Sequence, residues 1–168
     1  YNPEKAKKLL AEAGYPNGFE TPFLAYRNRD YAEAMINNLN AVGITAKFEY
    51  LKYAAFRDKV QSGGAPFNFG TWGSYSINDV SAITSHFQSG GKDDYSKDPE
   101  VIKQLGIGDT SVDANVRKAA YKAALSRISG EAFMFPLWSY NTWYAFSKDV
   151  DFNPTPDEIP RFFTAKWM

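Results

Sequence analysis

The chain has 168 residues, of which 44% are hydrophobic and 23% charged, and its 19 basic residues balance its 19 acidic ones. This length is sufficient for a buried core, and the composition is that of a globular protein. A net charge of zero argues against nucleic acid and anionic membrane as main partners, since both select a basic excess. The chain contains no cysteine, which excludes disulfides, thiolate metal sites and a cysteine nucleophile.

The first third of the chain alternates helix and strand patterns. The predicted helices cover about 3–13, 31–42 and 54–61, and the predicted strands cover 19–26 and 44–51. Asn2-Pro3-Glu4 combines the cap, the proline and the acid of a helix start, while Asp30 caps the second helix and Gly43 closes it. Strands separated by helices and short loops predict parallel pairing, and hence an α/β lobe.

The next stretch supplies the candidate site. Residues 67–72 form a short apolar run that predicts a third, buried strand, and Asn78 or Asp79 can cap a helix that reaches about Phe87. A strand that leads through a polar loop into a helix is where α/β sheets place their ligands. Trp72 and Tyr75 offer flat apolar faces in this loop, and Ser74, Ser76, Asn78 and Asp79 offer hydrogen-bonding groups. We therefore predict one half of a binding cleft here. Tyr26, at the end of the first predicted strand, and Arg27, in the loop after it, are further candidate ligand contacts, with a surface charge as the alternative for Arg27. Core packing at a strand end is the alternative for Trp72.

Two helices and two further strands are predicted in the second half. The helices run from Asp98-Pro99-Glu100 to about Leu105 and from Asp113 or Asn115 to about Ser129, and the strands cover 133–138 and 143–146. The buried stripe predicted for the long helix is Val116, Ala119, Ala120, Ala123, Ala124 and Ile128. Beyond Asp149 the chain is irregular, aromatic and studded with prolines. We expect a ligand-binding lobe over 1–149 and a tail over 150–168 that docks elsewhere.

No catalytic constellation is apparent in the sequence. His86 is the only histidine, and a hydrolase that pairs it with Asp79 is one alternative function, although their spacing along a helix is about 10 Å. Asp93-Asp94 indicates a solvated loop more than a metal site. Aromatic residues make up 17% of the chain, so a protein-interaction domain with exposed aromatics is the second alternative. We predict no catalytic residue, cofactor or metal.

Several stretches resemble one family. The opening Tyr1-Asn-Pro-Glu-Lys-Ala-Lys-Lys-Leu-Leu-Ala-Glu-Ala-Gly-Tyr-Pro16, then Val42-Gly-Ile44, the Gly70/Trp72 strand end, Asp98-Pro-Glu-Val101 and Phe135-Pro-Leu137 follow in the order found in peptide/nickel-type (family 5) solute-binding proteins of ABC importers. The resemblance implies a periplasmic-binding-protein-like lobe, taken from a longer, exported, two-lobed protein. It further implies a periplasmic (or extracellular, membrane-tethered) protein that holds a peptide or similar small solute between its lobes for delivery to an ABC permease. The partners implied are that solute, the permease subunits and an N-terminal lobe.

The family pattern carries over only in part. Peptide binders place an aspartate for the ligand ammonium three residues after the strand-end tryptophan, and Tyr75 stands there in this chain. Asp79 is the nearest acid. Peptide binders also often place an arginine for the ligand carboxylate after the first strand, where this chain has Arg27 and Arg29. The resemblance therefore implies an anchor for a carboxylate and leaves the ligand class open.

Overall fold

The structure, a computed structural model, describes residues 1–73, 77–155 and 159–168. The chain divides into two compact units, Tyr1–Thr71 and Trp72–Met168. The predicted division into a lobe over 1–149 and a tail over 150–168 stays a prediction.

The first unit is a parallel sheet with helices between its strands. Its elements are α1 (Pro3–Glu12), β1 (Phe19–Ala25), α2 (Arg29–Asn40), β2 (Ile44–Tyr50), α3 (Tyr53–Gln61) and β3 (Asn68–Phe69). The strand order is β2-β1-β3, and β1 pairs in parallel with both neighbours. Pairing between β1 and β2 runs from Phe19 opposite Ile44 to Ala25 opposite Tyr50. The predicted parallel alternation of strands and helices is confirmed.

The third strand is shorter than the predicted 67–72. It pairs only with Leu24 and Ala25, and the Leu24 N–H donates to the Phe67 carbonyl at 3.0 Å. Residues two apart in a strand direct their backbone groups to the same side, so the backbone of Pro22 also faces β3. Proline has no N–H, and β1 ends at Ala25. Pairing with β3 is therefore bounded by Pro22 on one side and by the end of β1 on the other.

Both faces of this sheet are covered. On one face Phe23, Ala25, Ala32, Ala46 and Phe69 form a buried cluster, and on the other Leu24 packs with Phe56, Val60 and Ala65. Phe56 and Val60 thus form the buried side of α3. By contrast, α1 has no buried residue, and its Leu9 is 52% exposed.

The second unit is built on helices. Its elements are α4 (Ser81–Phe87), α5 (Pro99–Thr110), α6 (Ala114–Gly130), β4 (Val150–Asp151), a short 3₁₀ turn (Phe162–Thr164) and β5 (Lys166–Trp167), with β4 and β5 antiparallel. The carboxylates of Asp98 and Asp113 accept the first backbone N–H groups of α5 and α6, as predicted. Val101, Leu105, Tyr121, Ala124 and Ile128 form the core between these two helices.

Four sequence predictions are wrong in this unit. The helix α5 continues to Thr110 instead of ending near Leu105. On α6 the burial predicted for Ala120, Ala124 and Ile128 is confirmed and Tyr121 is buried as well, but the prediction is wrong for the other three, because Val116, Ala119 and Ala123 are exposed. The stretches 133–138 and 143–146 form no strand. A strand requires a partner for its backbone groups, and in this unit the paired segments are β4 and β5. The fourth wrong prediction is the solvated loop at Asp93-Asp94, because Asp94 is fully buried.

Within the described ranges, no helix is both long enough and apolar enough to cross a membrane.

Candidate functional site

At the carboxyl edge of the parallel sheet, Thr71 contacts two predicted site residues, Tyr26 and Arg27. Tyr26 and Arg27 follow β1, and Thr71 follows β3. The Thr71 hydroxyl lies 3.0 Å from the Tyr26 hydroxyl and accepts a hydrogen bond from the Arg27 guanidinium, also at 3.0 Å. That guanidinium lies 5.7 Å from the centre of the Tyr26 ring. One threonine therefore holds a phenol and a cation at the edge where parallel sheets bind ligands.

Tyr53 extends this edge with an aromatic face. It begins α3 just after β2, and its ring centre lies 5.0 Å from that of Tyr26, which also packs on Phe56 at 4.9 Å. Tyr53 is 56% exposed. Sequence analysis missed Thr71 and Tyr53. Tyr53 follows the predicted strand 44–51, so the strand-end rule would have selected it. Thr71 lies inside the predicted strand 67–72, and only the shorter observed strand, Asn68–Phe69, places it beyond a strand end.

The two arginines of the first loop differ in their surroundings. Arg29 donates to Glu33 at 2.7 Å, and its guanidinium lies within 5.7 Å of the ring centres of Phe48 and Tyr50. Arg27 is exposed, and its Nη1 donates to the neutral Thr71 hydroxyl. Because its charge faces no carboxylate among the contacts described, Arg27 is the better candidate for an anionic group of a ligand.

Trp72 opens the second unit and is only partly available to a ligand. Its indole N–H donates to the Ala82 carbonyl at 3.1 Å, and its ring stacks on His86 with centres 4.1 Å apart and planes inclined by 20°. Phe87 meets the ring edge-on at 5.2 Å. Trp72 is nevertheless 38% exposed. The helix α4 thus fixes the orientation of the tryptophan while leaving part of its surface open.

His86 and Asp79, the pair considered for a hydrolase, have different partners. His86 Nε2 is buried and lies 3.4 Å from Asp93 Oδ2. The Asp79 carboxylate instead accepts from the Ser81 N–H at 3.0 Å and contacts Arg117 at 2.5 Å. The stacking of His86 on Trp72 gives the histidine the packing role that a lone histidine most often has.

Asp79 is held in its charged form by these contacts. The hydrogen bonds from Ser81, together with the charge of Arg117, lower the pKa of Asp79 below its ordinary value. Asn78, beside it, is exposed. The predicted site residues Ser74 and Tyr75, like Ser76, lie outside the described residues. Ligand contact by the seven predicted site residues stays a prediction.

The adjacent acids Asp93 and Asp94 do not form the predicted solvated loop. Asp94 is fully buried and accepts from the Gly90 N–H at 2.9 Å, the Lys97 N–H at 2.9 Å and the Ser96 hydroxyl at 2.7 Å. These donors replace water around the carboxylate, so its burial is tolerated. The pair organises the turn before α5.

Two further features of the described residues bear on the site. No group of three or more His, Cys, Asp or Glu side chains among them is placed to hold a metal ion. A hollow of about 470 Å³ in the second unit is lined by Tyr140, Asn141, Thr142, Tyr144, Pro154 and Thr155. None of the sequence-predicted site residues lines it.

Comparison with known proteins gives a consistent result. The family model for bacterial extracellular solute-binding proteins, family 5 Middle, matches residues 1–94, more than half of the chain. The periplasmic binding protein AgaA of A. tumefaciens R10, solved with agropinic acid, is similar with a TM-score of 0.64 and 32% identity over 74% of this chain and 27% of its own. The ABC transporter-associated periplasmic binding protein DppA of Helicobacter pylori, solved with the peptide STSA, has a TM-score of 0.71 and 26% identity over 79% of this chain and 28% of its own.

A short segment is also 87% identical, over 23 residues, to heme-binding protein A of Haemophilus influenzae, covering 14% of this chain and 4% of that protein. These matches confirm the family resemblance and the periplasmic-binding-protein-like α/β fold predicted from the sequence. The chain spans little more than a quarter of the length of the two solved structures described.

Proposed function

This chain belongs to the bacterial extracellular solute-binding proteins of family 5, and from that membership we propose that it is part of the solute-binding component of an ABC importer. The family consists of binding proteins and not of enzymes. In this proposal the complete protein works in the periplasm or at the outer cell surface, captures a peptide or similar small solute, and delivers it to the permease subunits. The family match over residues 1–94 is the observation that supports the proposal most strongly.

The proposed mechanism is capture without chemistry. Aromatic faces at Trp72, Tyr26 and Tyr75 stack on the solute, and a few polar groups fix its orientation, as in most small-molecule sites. Ser74 and Asn78 are the proposed hydrogen-bonding groups, and Asp79 ends the same stretch of the site. Closure of this lobe against an N-terminal lobe of the longer protein then buries the solute.

The proposed ligand carries an anionic group. Arg27 is exposed and its guanidinium donates to the neutral hydroxyl of Thr71, so further N–H donors remain for a carboxylate. Tyr75 stands where peptide binders have the aspartate that meets an ammonium. A carboxylate-bearing solute is therefore favoured over one recognised mainly through its amino group.

The first experiment identifies the solute. Full-length protein is purified without denaturation, and the solute released from it is analysed by mass spectrometry. Two defined probes are then titrated by calorimetry: agropinic acid and the peptide STSA, the ligands of the two solved relatives. Release of a small acidic solute, or binding of either probe, supports the proposal. A protein that releases nothing and binds neither probe nor a library of peptides and sugar acids contradicts it.

The second experiment tests Trp72. Replacing Trp72 with Ala in the full-length protein removes much of an aromatic contact, so we expect a loss of about 1–3 kcal/mol in binding free energy. Trp143→Ala is the matched control, because Trp143 is 87% exposed and lies outside the predicted site. Equal affinity of the Trp72 variant and the control would remove Trp72 from the site.

A protein-interaction role is the second candidate. Phe135, Trp143, Phe163 and Trp167 are each at least 79% exposed, which is unusual for large aromatic side chains. In this alternative they bind another protein, and the full-length protein forms a stable complex at micromolar concentration on a sizing column. A full-length protein that stays monomeric and binds a small solute would contradict the protein-interaction role.

A further inference from the structure

Arg117 ties Asp79 to the helical core of the second unit. One terminal nitrogen of its guanidinium contacts Asp79 Oδ2 at 2.5 Å, and the other donates to the Gly108 carbonyl at 2.7 Å. Arg117 lies in α6 and Gly108 in α5. Because the planar guanidinium donates in fixed directions, it sets the position of Asp79 relative to both helices.

Tyr121, one turn further along α6, lies beside the contact between Arg117 and Asp79. Its hydroxyl donates to Asp109 Oδ1 at 2.7 Å and lies 3.4 Å from Asp79 Oδ1. The Arg117 guanidinium lies 5.1 Å from the centre of its ring. Burial, reinforced by the hydrogen bond with Asp109, raises the pKa of Tyr121 to about 12. The phenol therefore keeps its proton at neutral pH and remains a donor between two carboxylates.

Trp72, at the other end of the stretch 72–79, is also held by a helix. Trp72 donates to Ala82 and stacks on His86, both in α4. The stretch 72–79 contains five of the seven predicted site residues, and its first and last residues are each fixed to a helix. Trp72 depends on α4, and Asp79 depends on α6 through Arg117.

We propose that Arg117 is a positioning residue of the solute site, which acts through Asp79 and binds no solute itself. The inference rests on the proposed function. It assigns to Asp79 the role of a structural anchor, in place of the direct ligand contact predicted from the sequence. The chemistry favours this role, because the Asp79 carboxylate already accepts the Ser81 N–H and pairs with the Arg117 guanidinium, and a cationic group of a solute would have to compete with that guanidinium for the same charge.

The two roles of Asp79 make opposite predictions for Arg117. If Asp79 is an anchor, Arg117→Gln and Asp79→Asn weaken solute binding to similar extents, and the double variant is no worse than either single variant. If Asp79 meets the solute directly, Asp79→Asn weakens binding, whereas Arg117→Gln leaves it unchanged or strengthens it by releasing the carboxylate.

Arg127 provides a matched control on the same helix. It forms a two-bonded ion pair with Asp98, with nitrogen–oxygen distances of 2.9 and 2.7 Å. Asp98 precedes α5, far along the chain from the stretch 72–79. Arg127→Gln therefore removes an ion pair of the same kind without touching an anchor of that stretch.

The experiment uses full-length protein and two measurements. Calorimetric titration with agropinic acid or the peptide STSA, whichever the wild-type protein binds, is expected to show at least a tenfold loss for Arg117→Gln and less than a twofold change for Arg127→Gln. Amide hydrogen exchange of peptides covering 72–80, without any solute, is expected to accelerate at least tenfold in Arg117→Gln only. Arg117→Lys, which retains the charge, is expected to recover part of both effects.

The outcomes separate this inference from the proposed function. Wild-type affinity in Arg117→Gln, or losses in the two single variants that add in the double variant, overturns the positioning role while the protein remains a binder. A wild-type protein that binds neither probe removes the affinity measurement, and hydrogen exchange then decides: unchanged exchange of 72–80 in Arg117→Gln overturns the anchoring. If Arg117→Gln does not fold, Arg117→Lys is measured in its place by the same two methods, and wild-type affinity together with wild-type exchange of 72–80 in that variant overturns the positioning role.

Discussion

Gly18 and Gly43 meet where the two long strands of the sheet begin, and this contact allows a sharp test of the fold. Gly18 precedes β1 with φ +76°, and Gly43 precedes β2 with φ +98°. A Cβ atom built on Gly18 would lie 1.8 Å from the Gly43 carbonyl oxygen and 2.4 Å from its carbon. Both obstacles are backbone atoms, so neither can rotate away.

We expect Gly18→Ala to lose much more stability than its backbone angle alone explains. An L-residue in the left-handed region costs about 1–2 kcal/mol. To reach ordinary contact the two backbones must also separate by roughly 1.6 Å, and overpacking of this kind costs about 1–3 kcal/mol more. The separation falls at the first pair of the sheet, Phe19 opposite Ile44, where it pulls the two strands apart.

Gly14→Ala is the matched control. Gly14 has φ +89°, close to that of Gly18, but a Cβ there would meet nothing within 4 Å. The two variants therefore share the backbone cost and differ in the clash. Amide hydrogen exchange of 44–50, converted to a free energy of opening, measures both. Losses that agree within about 0.5 kcal/mol, the usual scatter between independent sites, would refute the close approach of the two glycines.

Three further predictions concern the second unit. Leu105→Ala, at a residue 1% exposed, is expected to lower the free energy of unfolding by about 2–5 kcal/mol, whereas Leu125→Ala, at a residue 41% exposed, changes it much less in urea titrations. Gly108→Ala brings a Cβ within 2.6 Å of the Tyr121 ring and is expected to cost about 1–3 kcal/mol; if the ring is the obstacle, the double variant with Tyr121→Ala loses less stability than the sum of the two single losses. The hydrogen bond from Arg127 lowers the pKa of Asp98 to about 2 from its ordinary 3.8, so the stability from this pair is fully present above pH 4 and is lost as the pH falls toward 2. Asp98→Asn is expected to flatten that part of the acid-unfolding curve, and an unchanged curve would contradict the assignment.

Local signals predicted most of the fold. Asp98 and Asp113 cap their helices because a carboxylate next to the first N–H groups is a short-range interaction that three or four residues determine. The strands at 133–138 and 143–146 were predicted from composition alone. Composition cannot show whether a strand has a partner, and here the pairing falls to Val150–Asp151 and Lys166–Trp167.

The candidate site was less accessible to sequence reasoning. Tyr26 and Arg27 could be selected because they follow a strand. Their shared partner Thr71 lies more than 40 residues away, and only the strand order brings it there. Arg117 gives no local signal either, because an arginine on a helix usually faces solvent, and its partner Asp79 is 38 residues earlier. Contacts of this range depend on packing, which the helical period does not specify.

The proline in the central strand also affects how separate chains behave toward each other. Among the described residues, β3 pairs only with Leu24 and Ala25, so the earlier part of β1 presents a sheet edge on that side. A strand from a second molecule that aligned there would find no N–H at Pro22, and its ladder of hydrogen bonds would be interrupted at once. We therefore expect Pro22 to oppose self-association at this edge. In Pro22→Val we expect the native contacts to be kept and the tendency to aggregate at high concentration to rise.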